Sequence, residues 1–291
     1  MATMRDIRRR VRAVRNIQQI TKALKMVAAA RLQRAESRLR ATRPYADGML
    51  ALMGHLQAAV AGGEVIHPLL EVREPVNIGV LAITSDRGMA GSYNTSVIRG
   101  VLDIVEPYGR DRVKLIAVGK KSRVFFARQR YNIAADFPMP SSEVSFPAAK
   151  EISRAVQNLF ESREVDVVHI VYSRFVSALR HRVTDVQLLP IEGPPLAEDV
   201  RWRRLAEEYI FEPRPDVLLG RLLPRYVDVR ICRVMLESLA SEHAARMAAM
   251  SLATDNAGDM IERLTLDFNR ARQAAITKEL AEIVGGTEAL R

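Results

Sequence analysis

ITKALKMVAAARL, residues 20–32, reads as helix from end to end: alanine, leucine and lysine dominate, and neither glycine nor proline interrupts. Ile20, Leu24 and Val27 share one face, and Ala28, Ala29 and Ala30 then make the helix thin on every side. No core for it lies nearby in sequence. Its packing partner has to come from a distant part of the chain, and that requirement sets the fold.

Working outward, the helix breakers avoid both ends of the 291-residue chain. The first proline is Pro44 and the first glycine Gly48; beyond Pro224 there is no further proline, and Gly258 is the only glycine between Gly220 and Gly285. An N-terminal helix is expected from about Thr3 to Ala61, roughly 85 Å, and a C-terminal one from about Pro215 to Val284, on the order of 100 Å. Pro44 and Pro224 are expected to bend or interrupt them, and Gly62-Gly63 and Gly285-Gly286 to stop them. Six of the thirteen prolines crowd residues 190–224, which reads as a joint.

The terminal helices carry matching seams. Met4, Ile7, Val11 and Val14 are three and four apart, and the seam is expected to continue, slightly out of phase, through Ile17, Ile20, Leu24 and Val27. Ala257, Ile261, Leu264, Phe268, Ala271 and Ala275 alternate steps of four and three, a coiled-coil spacing. Leu236, Ala240, Ala244 and Ala248 lie four apart and would admit a close neighbour. The simplest arrangement winds the two ends around each other, antiparallel.

The middle is different. NIGVLAITSD (77–86), RVKLIAVG (112–119), VDVVHIVYS (165–173) and VTDVQLLPI (183–191) are strand-like runs, separated by helical patterns at 93–108, 120–131 and 147–163. Strands alternating with helices predict a mostly parallel sheet covered on both faces. The expected fold class is therefore α/β: a Rossmann-like central domain beside a long antiparallel coiled coil. The expected divisions are residues 1–61, 75–192, 193–214 as linker, and 215–286.

Charge points to an acidic partner. The net charge is +10, and residues 1–40 hold twelve basic side chains against two acidic ones, Asp6 and Glu36. Such a helix repels itself unless something anionic lies beside it, whether nucleic acid or an acidic protein surface. Base-stacking aromatics are absent from this stretch, which counts against sequence-specific or single-strand nucleic-acid binding. A single cysteine, Cys232, excludes an internal disulfide, and no run of 18 apolar residues is present to span a bilayer.

Motifs for chemistry are missing. SDRGMAGS (85–92) follows the first strand, where open α/β sheets bind ligands, but Gly88 and Gly91 do not make the dinucleotide fingerprint, and VGKKSR (118–123) is no phosphate loop. The five histidines show no metal-ligand spacing; His169 reads as a satisfied strand residue and Cys232 as apolar filling. No catalytic residue, cofactor site or metal site is assigned. A basic coiled-coil protein binding nucleic acid is the alternative that the charge allows, and a dinucleotide-dependent enzyme the one that the α/β body allows.

Several blocks decide between these: ITKALKMVAAARL (20–32), ITSDRG (83–88), VYSRFVSAL (171–179), LESLASEHAARMAAMSLATDNAGDMI (236–261) and FNRARQAAITKELAEIVGGTEAL (268–290). In order and spacing they resemble the family of γ subunits of F-type ATP synthases. The resemblance implies a non-catalytic rotor shaft, its terminal helices paired inside a ring of α and β subunits. It implies that the middle domain sits near the membrane against ε and the c ring, with one copy per complex. Ion flow turning the c ring would drive conformational change at catalytic sites on β. The location implied is peripheral, on the cytoplasmic face of a bacterial inner membrane. Partner contacts implied by residue are Lys22, Leu24 and Lys25 near acidic loops of β, and Arg246, Arg272, Gln273 and Thr277 at β loops near the bore. The seam itself is expected at Ile7, Val11, Val14, Ile261, Leu264 and Phe268. The inserted cysteine pair of some plastid relatives is absent, which excludes their redox control.

Overall fold

A computed structural model describes residues 4–60, 67–178, 180–191, 212 and 214–288. It divides into two compact units, one from Met1–Ala28 with Arg246–Arg291 and one from Ala29–Ala245. Helix α1 (Met4–Val60) and helix α5 (Pro215–Glu288) each contribute to both.

In the first unit the start of α1 lies antiparallel to the end of α5. Arg8 meets Phe268, Gln18 meets Thr254, and Lys25 meets Ser251, so each advance along α1 is matched by a retreat along α5. Ile7 and Ala28 are buried and Val11 and Val14 half-buried; on α5, Ala257 is buried and Ile261, Leu264, Phe268, Ala271 and Ala275 are half-buried. The middle of the α1 seam departs from expectation. Ile17, Ile20 and Val27 are 53%, 59% and 49% exposed, whereas Thr21 is buried. Gln18 and Thr21 are turned toward α5 and the exposed Lys25 reaches it through its amine, and these three continue the four-three stepping from Ile7, Val11 and Val14 to Ala28. The apolar residue one place before each of Gln18 and Thr21 is rotated about 100° away.

The second unit is built on a five-stranded sheet: β1 (Ile78–Ile83), β2 (Val113–Val118), β3 (Asn132–Phe137), β4 (Val167–Ser177) and β5 (Arg180–Leu189). Their order is β3-β2-β1-β4-β5, with β1 to β4 parallel and β5 antiparallel to β4. Helices α2 (Tyr93–Val105), α3 (Lys120–Arg128) and α4 (Phe146–Glu161) make the crossovers. One face packs Ile78, Val80, Ala82, Val113 and Leu115 against Val97, Val101 and Val105 of α2 and Phe126 of α3. The other packs Leu81, Ile83, Ile116 and Ile170 against Ile152, Val156 and Phe160 of α4 and Leu223, Val227 and Leu239 of α5. Ser145 caps α4, its hydroxyl accepting from the amide of Ala148.

Three differences from the sequence reading have physical causes. Neither proline interrupts its long helix, which continues through Pro44 and through Pro224. One proline costs about 3 kcal/mol, a cost offset by burial of Leu32, Met49 and Met53 around the first and Leu219, Leu223 and Val227 around the second. Gly285 and Gly286 do not end α5, which continues to Glu288. Strand β3 has no apolar run to announce it, because it is an edge strand with alternate residues exposed. Gly62, Gly63 and the expected joint at 193–214, apart from Glu212 and Arg214, lie outside the described residues.

Candidate partner-binding surface

The first unit buries little of its own apolar surface. Ile17, Ile20, Met26 and Val27 on α1, and Leu252, Met260, Leu266, Ile276, Leu280 and Ile283 on α5, are all between 49% and 65% exposed. Single exposed apolar residues are ordinary. So many large ones on one slender helical pair make a surface suited to burial against other chains. The slenderness of ITKALKMVAAARL follows: α5 covers one side, and the apolar residues that find no place in that seam face outward.

Cationic groups are interleaved with this surface. Arg5, Arg8, Arg9 and Arg12 line a groove of about 820 Å³ with Met4, Asp6 and Phe268. Asp6 is paired with Arg9 at 3.3 Å, and the guanidinium of Arg8 lies over the Phe268 ring. Four arginines against one carboxylate favour an anionic occupant.

The residues singled out from sequence fall in two groups on this unit. Lys22 and Lys25 are exposed and Leu24 half-buried on α1. Lys25 Nζ donates to Ser251 Oγ at 2.9 Å, which brings this segment within two turns of the half-buried Arg246 on α5. Arg272, Gln273 and Thr277 are exposed together on α5, with the Thr277 hydroxyl donating to the Gln273 carbonyl at 2.9 Å. From Ser251 to Arg272 the helix rises roughly 30 Å, so the groups form separate contact levels.

The turn at Ser85 is filled by the chain itself. Asp86 Oδ1 accepts from the amides of Lys120, at the start of α3, and Met139. A carboxylate therefore occupies the helix N-terminus where a ligand phosphate would otherwise bind. Asn94 accepts from the amide of Ser85, and Thr84 Oγ1 accepts from the buried amide of Ser122 at 2.9 Å. No group of three or more metal-ligating side chains occurs among the described residues.

Elsewhere in the second unit the ionisable groups are structural. Hydrogen bonds from Arg38, Arg73 and Lys114 hold Glu143, Glu71 and Glu164 below their ordinary carboxylate range. Burial, then Glu237, pushes the Tyr172 hydroxyl up to about 12. Burial raises the Cys232 thiol, making it a poor nucleophile. His169 is bonded to Asp185 across β4 and β5 at 2.9 Å.

Sequence pattern assigned Ile17, Ile20 and Val27 to the seam although they face outward, and it pointed neither to the Arg8–Phe268 contact nor to the polar residues in the seam. A signal existed for the last: extending the four-three stepping strictly from Ile7 lands on Gln18, Thr21 and Lys25, although none of them is apolar.

The whole chain is similar to known proteins. A family model described as ATP synthase matches residues 3–290. The ATP synthase gamma chain of Heliobacterium modesticaldum is 48% identical over 295 residues, and that of Desulfitobacterium hafniense 48% over 290, each alignment covering all of both chains. Among solved structures, a chain of the Tetrahymena thermophila mitochondrial ATP synthase central stalk and c ring matches with TM-score 0.61 and 26% identity, covering 80% of this chain and 99% of that one. A chain of the Euglena gracilis mitochondrial ATP synthase shares the fold with TM-score 0.71 at 19% identity, covering 99% of this chain and 94% of the other.

Proposed function

Because this chain belongs to the ATP synthase gamma chain family, we propose that it is the rotor shaft through which ion-driven rotation of a c ring reaches the catalytic β subunits. The observation that carries this reading is the first unit: two antiparallel helices that seal one another along one seam and turn large apolar and cationic side chains outward. Such a shaft acts by contact. Three equivalent subunits around one asymmetric shaft each meet a different side of it. Each is biased toward a different conformation, and a third of a turn permutes the three. The biasing requires contacts that differ between conformations, not tight binding alone.

In this proposal the chain performs no bond chemistry and needs no cofactor or metal. Lys22, Leu24, Lys25 and Arg246 form one contact level with the α/β ring, and Arg272, Gln273 and Thr277 a second. Residues 1–61 and 215–286 serve as the shaft, 75–192 as the body that meets ε and the c ring, and 193–214 as the joint. No helix among the described residues is long and apolar enough to cross a membrane, and attachment to the cytoplasmic face of a bacterial membrane runs through the complex. The nucleic-acid reading finds no support among the relatives.

The test is isolation. An affinity tag on this chain should bring α, β, ε and c subunits out of a detergent extract of membranes, one copy of the chain per complex, with ATPase activity. Recovery as a free chain would overturn the proposal.

A further inference from the structure

The seam between α1 and α5 changes character partway along the first unit. Toward the N-terminus of α1 it is apolar, at Ile7, Val11 and Val14, and further on it closes at the buried Ala28. Between them, three successive seam positions are polar, and the residues opposite are small or polar as well. Thr254 Oγ1 lies 2.8 Å from Thr21 Oγ1, Lys25 Nζ donates to Ser251 Oγ at 2.9 Å, and Gln18 Nε2 reaches the Thr254 carbonyl at 3.5 Å. A Cβ at Gly258 would stand 3.3 Å from Gln18 Nε2, so glycine leaves the room that the amide uses.

We propose that Gln18, Thr21 and Lys25 of α1, with Ser251, Thr254 and Gly258 of α5, form a register lock: a polar layer that fixes the axial alignment of the two terminal helices at the expense of stability. Within the first unit the apolar seam is permissive; the same two helices are tied again in the second unit, where Leu39 and Met53 share a core with Leu219, Leu223 and Leu239. Valines on α1 and alanines at 257, 271 and 275 on α5 are small enough to fit one another after a slip of one heptad, about 10 Å. The polar layer does not survive that slip. Moved either way by seven residues, Thr21 faces Ile261 or Met247, and its hydroxyl loses its cross-helix partner in a buried position. The threonine pair is also self-consistent in the native alignment. Either hydroxyl can donate to the other, because the Gln18 carbonyl lies 3.0 Å from Thr21 Oγ1 and the Met250 carbonyl 2.8 Å from Thr254 Oγ1, so the chain of bonds always ends on a backbone acceptor. A lone polar layer that specifies alignment while weakening the pair is an established use of buried polar groups in coiled coils. A shaft that must hand rotation from one helix to the other needs one alignment more than it needs maximal stability.

The experiment uses the full chain with Cys232→Ser and spin labels at Gln19→Cys and Glu262→Cys. Both positions are exposed and line one groove with Gln18 and Gly258. Distances are compared for three proteins: this parent, Thr21→Val with Thr254→Val, and Thr21→Leu with Lys25→Leu, Ser251→Leu and Thr254→Leu. One distance population is expected for the parent. The leucine variant should melt at a higher temperature and show a second distance population, the one set by an axial shift of about 10 Å between the helices, and the valine pair should show a smaller share of it. A single population in both variants overturns the proposal, whatever their melting temperatures, because the alignment is then set elsewhere. Several populations in the parent overturn it too. Should the leucine variant fail to fold, the nearly isosteric valine pair decides alone.

Discussion

The guanidinium carbon of Arg8 lies 5.4 Å from the centroid of the Phe268 ring. This contact ties the start of α1 to α5 by a charge lying over an aromatic face. Arg8 is exposed, so the attraction is worth about 0.5–1 kcal/mol. A double-mutant cycle of Arg8→Gln and Phe268→Leu, followed by urea unfolding, should return a coupling of that size. A coupling indistinguishable from zero would show that the ring serves the seam by area alone.

Two glycines should respond oppositely to alanine. Gly119 links β2 to α3 with φ of +93°, and a Cβ there would stand 2.2 Å from the Thr84 carbonyl oxygen, at the end of β1. Backbone strain and the forced displacement together should cost more than about 3 kcal/mol. Gly48 sits exposed inside α1 with nothing within 4 Å of an added Cβ. Gly48→Ala should stabilise by about 0.5–1 kcal/mol through the lower entropy of the unfolded chain. Denaturant midpoints of the two variants measure both effects.

Alkali should unfold the protein partly through Tyr172. Burial and the neighbouring Glu237 raise its hydroxyl from 10.0 to about 12. A group with a raised folded-state value contributes stability that is complete below its unfolded value and is lost as pH rises through the folded one. The contribution should therefore be present at pH 9 and disappear across roughly pH 10–12. Tyr172→Phe should flatten the fall in stability over that window in denaturant titrations, and an unchanged slope would remove Tyr172 from the alkaline transition.

How much of this was legible in sequence depended on whether side-chain pattern or tertiary placement carried the information. Strands β1, β2 and β4 announced themselves because burial on both faces selects continuous β-branched runs, and β5, the antiparallel edge, by the apolar alternation of VTDVQLLPI. Strand β3 did not, since an edge strand such as Asn132–Phe137 needs no such run. The helical ends were legible from the absence of glycine and proline. Their seam was misread in its centre, because Ile17, Ile20 and Val27 are apolar for an outward surface, while Thr21, though polar, faces α5 and the exposed Lys25 reaches it through its amine. Apolar pattern alone does not separate packing within a chain from packing against another. The contact levels at Lys22–Lys25 and at Arg272–Thr277 came from family resemblance, and local pattern does not distinguish them from any other exposed helical turn.

The second of those levels separates folding from coupling. Arg272 and Gln273 are exposed on α5, and neither side chain makes an ion pair or side-chain hydrogen bond to another described residue. Replacing exposed side chains without partners changes stability by no more than about 0.5 kcal/mol. Arg272→Ala with Gln273→Ala should therefore leave the melting temperature of the isolated chain unchanged. In the assembled complex the same two changes remove a bidentate donor and an amide from the surface proposed to meet loops of β. ATP-driven ion pumping by reconstituted complex, or the yield of complex itself, should fall severalfold. Normal pumping by the double variant would remove this level from the contact surface, and a lowered melting temperature of the free chain would instead assign the two residues to the fold.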